Sequence, residues 1–251
     1  AVAISAAFNA KRCDIFTDVE GIFTTDPRIV KSARKLDKIS YEEMLELASM
    51  GAKVLHTRSV ELAMRYDVNL QVLSSFQEKI GTLVCREDKM LESRMISGVA
   101  SSKDEAKVTL SGVLDKPGIA AAIFGPLSES GINVDMIIQN VSENETTDIT
   151  FSCPMSQVSE AEAAINKASK NKEISFKACV IDTEVAKVSI VGIGMRSHAG
   201  IAKKMFESLA NENINILVIS TSEIKISILV EQKYMELAVQ VLHDAFELDK
   251  V

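Results

Sequence analysis

Tryptophan is absent from these 251 residues, and aromatic side chains of any kind make up only 5%. Histidine is almost as scarce, and His56, His198 and His243 are too scattered to build a metal site. The four cysteines, Cys13, Cys85, Cys153 and Cys179, lie far apart in or beside apolar, strand-like runs. Such spacing offers neither a zinc knuckle nor a redox pair, and reads as buried thiols in a reducing compartment. No apolar run reaches membrane-spanning length. The opening "AVAISAAFNAKRCDIF" also lacks the basic start and long apolar core of a signal peptide. Positive charge is outnumbered, with 28 Lys and Arg against 35 Asp and Glu for a net charge of -7, which argues against sequence-independent binding of nucleic acid. These absences together lead to the expectation of a cytoplasmic protein with neither membrane nor nucleic acid as a partner.

What is present is ordinary globular chemistry: 47% apolar and 25% charged residues. The length exceeds one average domain, so two or three modules are expected, with ample chain for apolar cores. The chain opens without Met and in the middle of a helical pattern that has no N-cap, so a portion N-terminal to it is expected.

Three blocks follow. Residues 1–84 read as a helix, a strand at "CDIFT", a Thr/Asp-rich loop "FTDVEGIFTTDPRIV", helices at "SYEEMLELASMGA" and "RSVELAMRY", and a strand at "NLQVLSS". Helix alternating with strand predicts an α/β layer. Residues 85–103 are charged and then Gly/Ser-rich, a linker carrying a strand-like piece over residues 95–101. The remainder is a repeat of one unit, residues 104–182 and 183–251. "VLDKPGIAAAIFGPLSESGINVDMIIQ" aligns without a gap on the stretch beginning at Met195, so that Gly118 matches Gly200 and Asn133 matches Asn215. Each copy reads strand, turn, helix, strand, strand, helix. "AKVTLSG" and "AKVSIVG" open the copies, each alternating as a half-buried strand does. The first copy closes with a strand, "EISFKACVI", and the second has none after its last helix. An open sheet edge invites a partner. The spare strand ahead of the first copy is therefore expected in the second sheet, making the first unit an insertion into the second.

The βαββαβ pair resembles tandem ACT domains. The opening block, with "FTDVEGIFTTDPRIV" and "ISYEEMLELASMGAKVLHTRSVELA", resembles the C-terminal part of the amino-acid kinase domain of aspartate kinases. The resemblance covers essentially the whole chain. It implies a partial kinase α/β sandwich followed by two ferredoxin-like units, without the Lys-Phe-Gly-Gly signature of the family's front lobe. By this resemblance the substrate is ATP, accompanied by Mg2+, and the parent activity makes aspartyl phosphate under feedback control by lysine, threonine or both. This chain by itself is expected to be inactive. A non-catalytic regulatory subunit is the alternative, and a glutamate-directed kinase a weaker third reading. Assembly into a homodimer or hetero-oligomer through the ACT domains is also implied.

The resemblance assigns Thr17, Asp18, Phe23, Thr24, Thr25, Asp26, Pro27 and Arg28 to the adenosine and ribose side of ATP, with Lys53 as a point charge toward the nucleotide. Read alone, Asp26-Pro27 is a common turn pair and Lys53 a solvated helix-end lysine. No catalytic residue is assigned to His56 or Arg58, whose surroundings suit a helix N-cap. For the effector, the two turns lead into helix N-termini that favour a carboxylate. Asp115 and Asp135 can face an ammonium group, and Gln139 can hydrogen-bond the ligand. By resemblance a pocket between ACT units combines Asp115, Ala120, Asn133, Val134, Asp135 and Gln139 with Ile201, Ala202, Asn215, Ile216, Ser222 and Glu223. Asp115 as a turn former, and the two asparagines as mere strand starts, is the competing reading. In the second copy Leu217 and Thr221 replace Asp135 and Gln139, so the two sites are expected to differ.

Overall fold

The computed structural model describes residues 1–51, 54–141, 145–171 and 173–250. In the first block, α1 (Val2–Ala7) and β1 (Arg12–Thr17) precede the Thr/Asp loop, and β2 (Lys38–Ser40) runs directly into α2 (Tyr41–Ser49). Then come α3 (Thr57–Tyr66), β3 (Asn69–Ser74), β4 (Thr82–Cys85) and the short α4 (Lys89–Glu92). The sheet order is β1-β3-β4-β2, with β1 parallel to β3 and β3 antiparallel to β4. β2, β4 and α4 escape sequence reading because three or four residues are too short to display a period. The segment 85–103 is accordingly more structured than a linker.

Local chemistry fixes the helix starts. Ser40 caps α2 by accepting from the Glu43 amide, and the Glu43 side chain accepts from the Ser40 amide in return. At α3 the cap is His56 itself, whose Nδ1 accepts from Arg58 N at 3.2 Å. α3 ends at Asp67, which turns left-handed with φ 53°.

β5 (Gly98–Ser102) starts three residues later and ends one residue later than the sequence pattern indicates. Ahead of it the chain presses on Gly192, where an added Cβ would lie 2.5 Å from the Met95 carbonyl oxygen. The first repeat unit then comprises β6 (Ala106–Leu114), α5 (Ile119–Glu129), β7 (Asp135–Val141), β8 (Thr146–Cys153), α6 (Val158–Lys170) and β9 (Ala178–Asp182). The second comprises β10 (Val185–Val191), α7 (Ile201–Asn211), β11 (Val218–Thr221), β12 (Lys225–Glu231) and α8 (Met235–Ala245). Their sheets are β7-β8-β6-β9 and β11-β12-β10-β5, so β5 holds in the second sheet the place that β9 holds in the first. Both are ferredoxin-like, and the first is inserted between β5 and β10 of the second. Three described cysteines are buried, Cys179 is half-buried, and all four are free thiols.

Each unit has its own core. Leu110, Ile123, Leu127 and Phe151 anchor the first, and Val188, Ile190, Met205, Leu209, Val239 and Leu242 the second. Each such side chain contributes about 1.5–3 kcal/mol on full burial. β6 alternates between core and surface as expected, but β10 is buried at every position. Its second face is covered rather than wet: Val191 packs with Ala100 into the core of the first block, and Ser189 hydrogen-bonds Ser227 at 2.7 Å. The first block also reaches into the second unit, where Val30 joins the core.

Candidate functional site

Two candidate sites lie in different parts of the molecule. The first is at the carboxyl ends of the parallel pair β1 and β3, where open α/β sheets present ligand crevices. A cavity of about 420 Å³ there is lined by Phe16, Leu73 and residues 74–79. Thr17 and Asp18 flank it, with Thr17 Oγ1 donating to Asp18 Oδ1 at 3.0 Å and the Ser75 amide donating to the Thr17 carbonyl at 2.7 Å. The aromatic faces of Phe16 and Phe76, which the sequence reading did not select, are 63% and 79% exposed. The signals that could have found them are Phe16 immediately before the Thr17-Asp18 pair and the abrupt end of an apolar strand in "SSF", residues 74–76.

The Thr/Asp loop is folded by its own side chains. Asp26 Oδ1 accepts from the Arg28 amide at 2.9 Å, and the Arg28 guanidinium pairs with the same carboxylate at 2.6 Å. That pairing holds Asp26 below the usual carboxylate range. Pro27 and Arg28 are exposed at the tip, whereas Phe23 is half-buried and bridges to Lys35. Thr24 and Thr25 are buried. Thr24 faces the protein interior: its hydroxyl contacts His243 Nε2 at 3.0 Å and accepts from the Arg34 amide at 3.0 Å. The Val99 amide donates to its carbonyl at 2.7 Å. Thr24 thus holds the loop on α8 through its hydroxyl and on β5 through its carbonyl. Lys53 lies outside the described residues.

The second site is a cavity of about 520 Å³ at the start of α7. Ile201, Ala202, Ser222 and Glu223 line it, as do Met195, Arg196 and His198. Gly200, with φ 91°, turns the chain so that the first amides of α7 open onto this cavity. Arg196 spans it, its Nη1 on Glu87 at 3.0 Å and its Nε 3.5 Å from Glu223, while His198 Nδ1 lies 2.8 Å from the Gly194 carbonyl oxygen. Cation, helix N-terminus and carboxylate therefore stand around one space, a set suited to a zwitterion. Arg196 and His198 were not selected from the sequence; the first unit has no counterparts to suggest them.

The other expected effector residues do not join this cavity. Asn215 and Ile216 lie in the turn between α7 and β11. Asp115, Ala120, Asn133 and Gln139 are exposed on the first unit, and the Asn133 amide donates to Gln157 Oε1 at 3.0 Å. Val134 packs at the edge of the first core. Asp135 is already paired: its Oδ2 takes Lys187 Nζ at 3.1 Å, and Lys187 also pairs with Glu105. Burial disfavours the Lys187 charge, but these two carboxylates outweigh it and hold the ammonium above its usual range. Within one chain, and among the described residues, an apolar cluster of Met136, Ile138, Leu217, Val218 and Leu229 lies where the two units meet.

Comparison with known proteins places these features. Residues 1–74 match the amino acid kinase family, and residues 108–171 and 188–246 each match the ACT domain. An aspartate kinase of Pseudomonas fluorescens is 55% identical over 249 residues, covering 99% of this chain and 60% of that protein. The chain thus spans about 60% of the length of the curated relatives it matches. Among solved structures, the aspartate kinase of Clostridium acetobutylicum superposes with a TM-score of 0.87 at 28% identity, covering 98% of this chain and 56% of that one. The regulatory subunit of aspartate kinase from Thermus thermophilus is 38% identical, with a TM-score of 0.57, over 61% of this chain and 99% of its own length. With a partial kinase layer and two ACT domains carrying that similarity end to end, the chain belongs to the aspartate kinase family.

Proposed function

We propose that this chain is the regulatory region and nucleotide-side part of an aspartate kinase, which transfers the γ-phosphoryl group of ATP to L-aspartate. In that reaction a side-chain carboxylate oxygen attacks the γ-phosphorus and ADP leaves, giving 4-phospho-L-aspartate, the first step toward lysine, threonine and methionine. Catalysis of such a transfer is chiefly positioning and charge neutralisation. Residues 1–84 would supply the nucleotide side, with the adenosine of ATP beside Thr17, Asp18 and the loop from Phe23 to Arg28, and Lys53 toward the phosphates. Mg2+ would accompany the phosphates, since it is held largely by phosphate oxygens and water; Asp18 is the exposed carboxylate nearest the end of β1.

Residues 104–182 and 183–251, completed by the strand from the preceding segment, would form the effector-sensing pair. The observation that carries this reading is the second cavity, where Arg196 and the α7 amides suit the carboxylate of a free amino acid and Glu223 suits its ammonium group. Lysine, threonine or both are the proposed effectors. The exposed set of the first unit, Asp115, Asn133, Asp135 and Gln139, would meet such a ligand across an interface with a second copy in a dimer or hetero-oligomer. The near-complete coverage of a regulatory subunit favours a second reading, a non-catalytic amino-acid-binding subunit. The kinase layer of residues 1–74 weighs against it.

Titration calorimetry with lysine and threonine tests the effector reading. One of them is expected to bind, and Glu223→Gln to weaken binding by about tenfold or more, the worth of one charge-assisted contact. Unchanged affinity in Glu223→Gln would place the ligand elsewhere. Assayed by itself, the 251-residue chain is expected to show no aspartate-dependent ATP turnover, and robust turnover would overturn that part.

A further inference from the structure

Glu43 is fully buried at the start of α2, yet none of its hydrogen bonds serves either cavity directly. Its Oε2 accepts from the Ser40 amide at 3.1 Å and from Ser40 Oγ at 2.9 Å, closing the helix cap. Its Oε1 does something a cap does not require. It accepts from Ser97 Oγ at 2.6 Å and from the Ile193 amide at 3.0 Å. Ile193 opens the tight turn Ile193–Arg196, whose Met195 and Arg196 line the second cavity. One carboxylate thus joins the kinase-side helix, the segment entering β5 and the wall of the ACT cavity.

Packing around that joint leaves little slack. A Cβ on Gly194 would fall 1.9 Å from the Arg94 carbonyl oxygen, so the turn lies directly on the backbone of the segment that Ser97 belongs to. Three residues along α2, Glu46 Oε2 pairs with Lys225 Nζ at 2.7 Å, and Lys225 precedes Ile226, another lining residue of the cavity. A displacement of the turn that kept these bonds would have to carry α2 with it. The C-terminal end of α2 leads to Gly51 and so toward Lys53, the lysine proposed for the nucleotide.

We propose that Glu43 is a positioning residue that couples the second ACT cavity to α2, so that an amino acid bound beside Met195 and Arg196 changes the constraint on the kinase-side helix. The proposal rests on the reading of that cavity as an effector site. Coupling of this kind needs a two-state element biased by the ligand, and here the element is the turn Ile193–Arg196 with α2 attached.

Hydrogen exchange on the 251-residue chain, with and without saturating L-lysine or L-threonine, tests it. In the wild type the ligand is expected to slow exchange both at residues 195–202 and along Tyr41–Met50, the latter by about fivefold or more, the lower end of ordinary site-to-site coupling. In Glu43→Gln a single carbonyl oxygen replaces two acceptors, so an amide nitrogen must face either the Ser40 or the Ile193 N–H. The response at 195–202 is expected to remain while that of α2 disappears. Ser97→Ala, a milder change that leaves the cap intact, is expected to reduce the α2 response in the same direction. Ser40→Ala is the structural control: it weakens the cap and speeds exchange throughout α2, but leaves the ratio between free and bound protein unchanged. The coupling does not run through Glu43 if the α2 response survives in both Glu43→Gln and Ser97→Ala, or is lost equally in Ser40→Ala. A wild type whose cavity responds while α2 stays silent overturns the coupling alone. One in which neither segment responds to either amino acid overturns the effector reading and the coupling with it.

Discussion

His243 on α8 is fully buried and ties the C-terminal helix to the Thr/Asp loop of the first block. Thr24 Oγ1 accepts from the Arg34 amide and lies 3.0 Å from His243 Nε2, a buried hydrogen bond that joins the Thr/Asp loop to α8. Burial pushes the imidazole below its ordinary value, against the opposing pull of Asp244 and Asp249 on the last turns of the chain. A group depressed in this way stabilises the fold fully above its unfolded value and loses that contribution as protons bind the unfolded chain below it. The urea midpoint is therefore expected to fall between about pH 7 and pH 5.5, and to fall less steeply in His243→Gln; equal slopes would remove His243 as the cause. Lys187 is the second residue on which much depends. Its side chain is 10% exposed and that of Glu105 8%, so Lys187→Met leaves a buried carboxylate without its cation. A loss of about 3 kcal/mol is expected by denaturant unfolding, with part recovered in Lys187→Met/Glu105→Gln. Neither pairing could be read from the sequence. Thr24 and His243 are 219 positions apart, and Lys187 stands 52 positions from Asp135. The charge on Asp135 was visible, but not the cation that occupies it.

Elements with a period or a repeat were legible, and those without were not. The paired glycines ahead of α5 and α7 show how far a repeat carries: Gly118 and Gly200 adopt φ 89° and 91°, the same left-handed turn at matched positions. An added Cβ at either meets nothing within 4 Å, so strain in the backbone is the whole penalty. Gly200→Ala is expected to cost about 1–2 kcal/mol in unfolding free energy. Gly194→Ala is a different case, because its Cβ would collide with the Arg94 backbone 1.9 Å away. Calorimetric scanning is expected to show a larger fall in Tm for Gly194→Ala than for Gly200→Ala, and the reverse order would show that the turn can lift off the segment beneath it. The three-residue β2 and the four-residue β4 left no pattern to read. The continuous burial of β10 was hidden too, since alternation in a sequence reports side-chain type and not whether a second layer covers the polar face.

At the scale of the whole molecule, the two ACT units are alike in fold and unlike in independence. The first closes its sheet with its own β9, and the second borrows β5 from the far side of the insertion. A fragment beginning at Asp88 is therefore expected to unfold as two cooperative units. One beginning at Asp104 is expected to keep the first unit and lose the second, as read by the side-chain methyl resonances of each core. Persistence of both sets in the shorter fragment would mean that β12 and β10 suffice without an edge partner. The nested arrangement could be inferred from a missing strand, but one consequence depends on register. Lys107, at the start of the inserted unit, pairs across the sheet with Asp182 at its end. Once the insert has folded, its entry and exit stand side by side, and the span between β5 and β10 behaves as a short connection. Loop closure then falls from roughly 80 residues to about 5, four halvings that together save about 2.4 kcal/mol of chain entropy. The order of events during synthesis follows: the guest domain matures first, and its completion draws together the two pieces of its host.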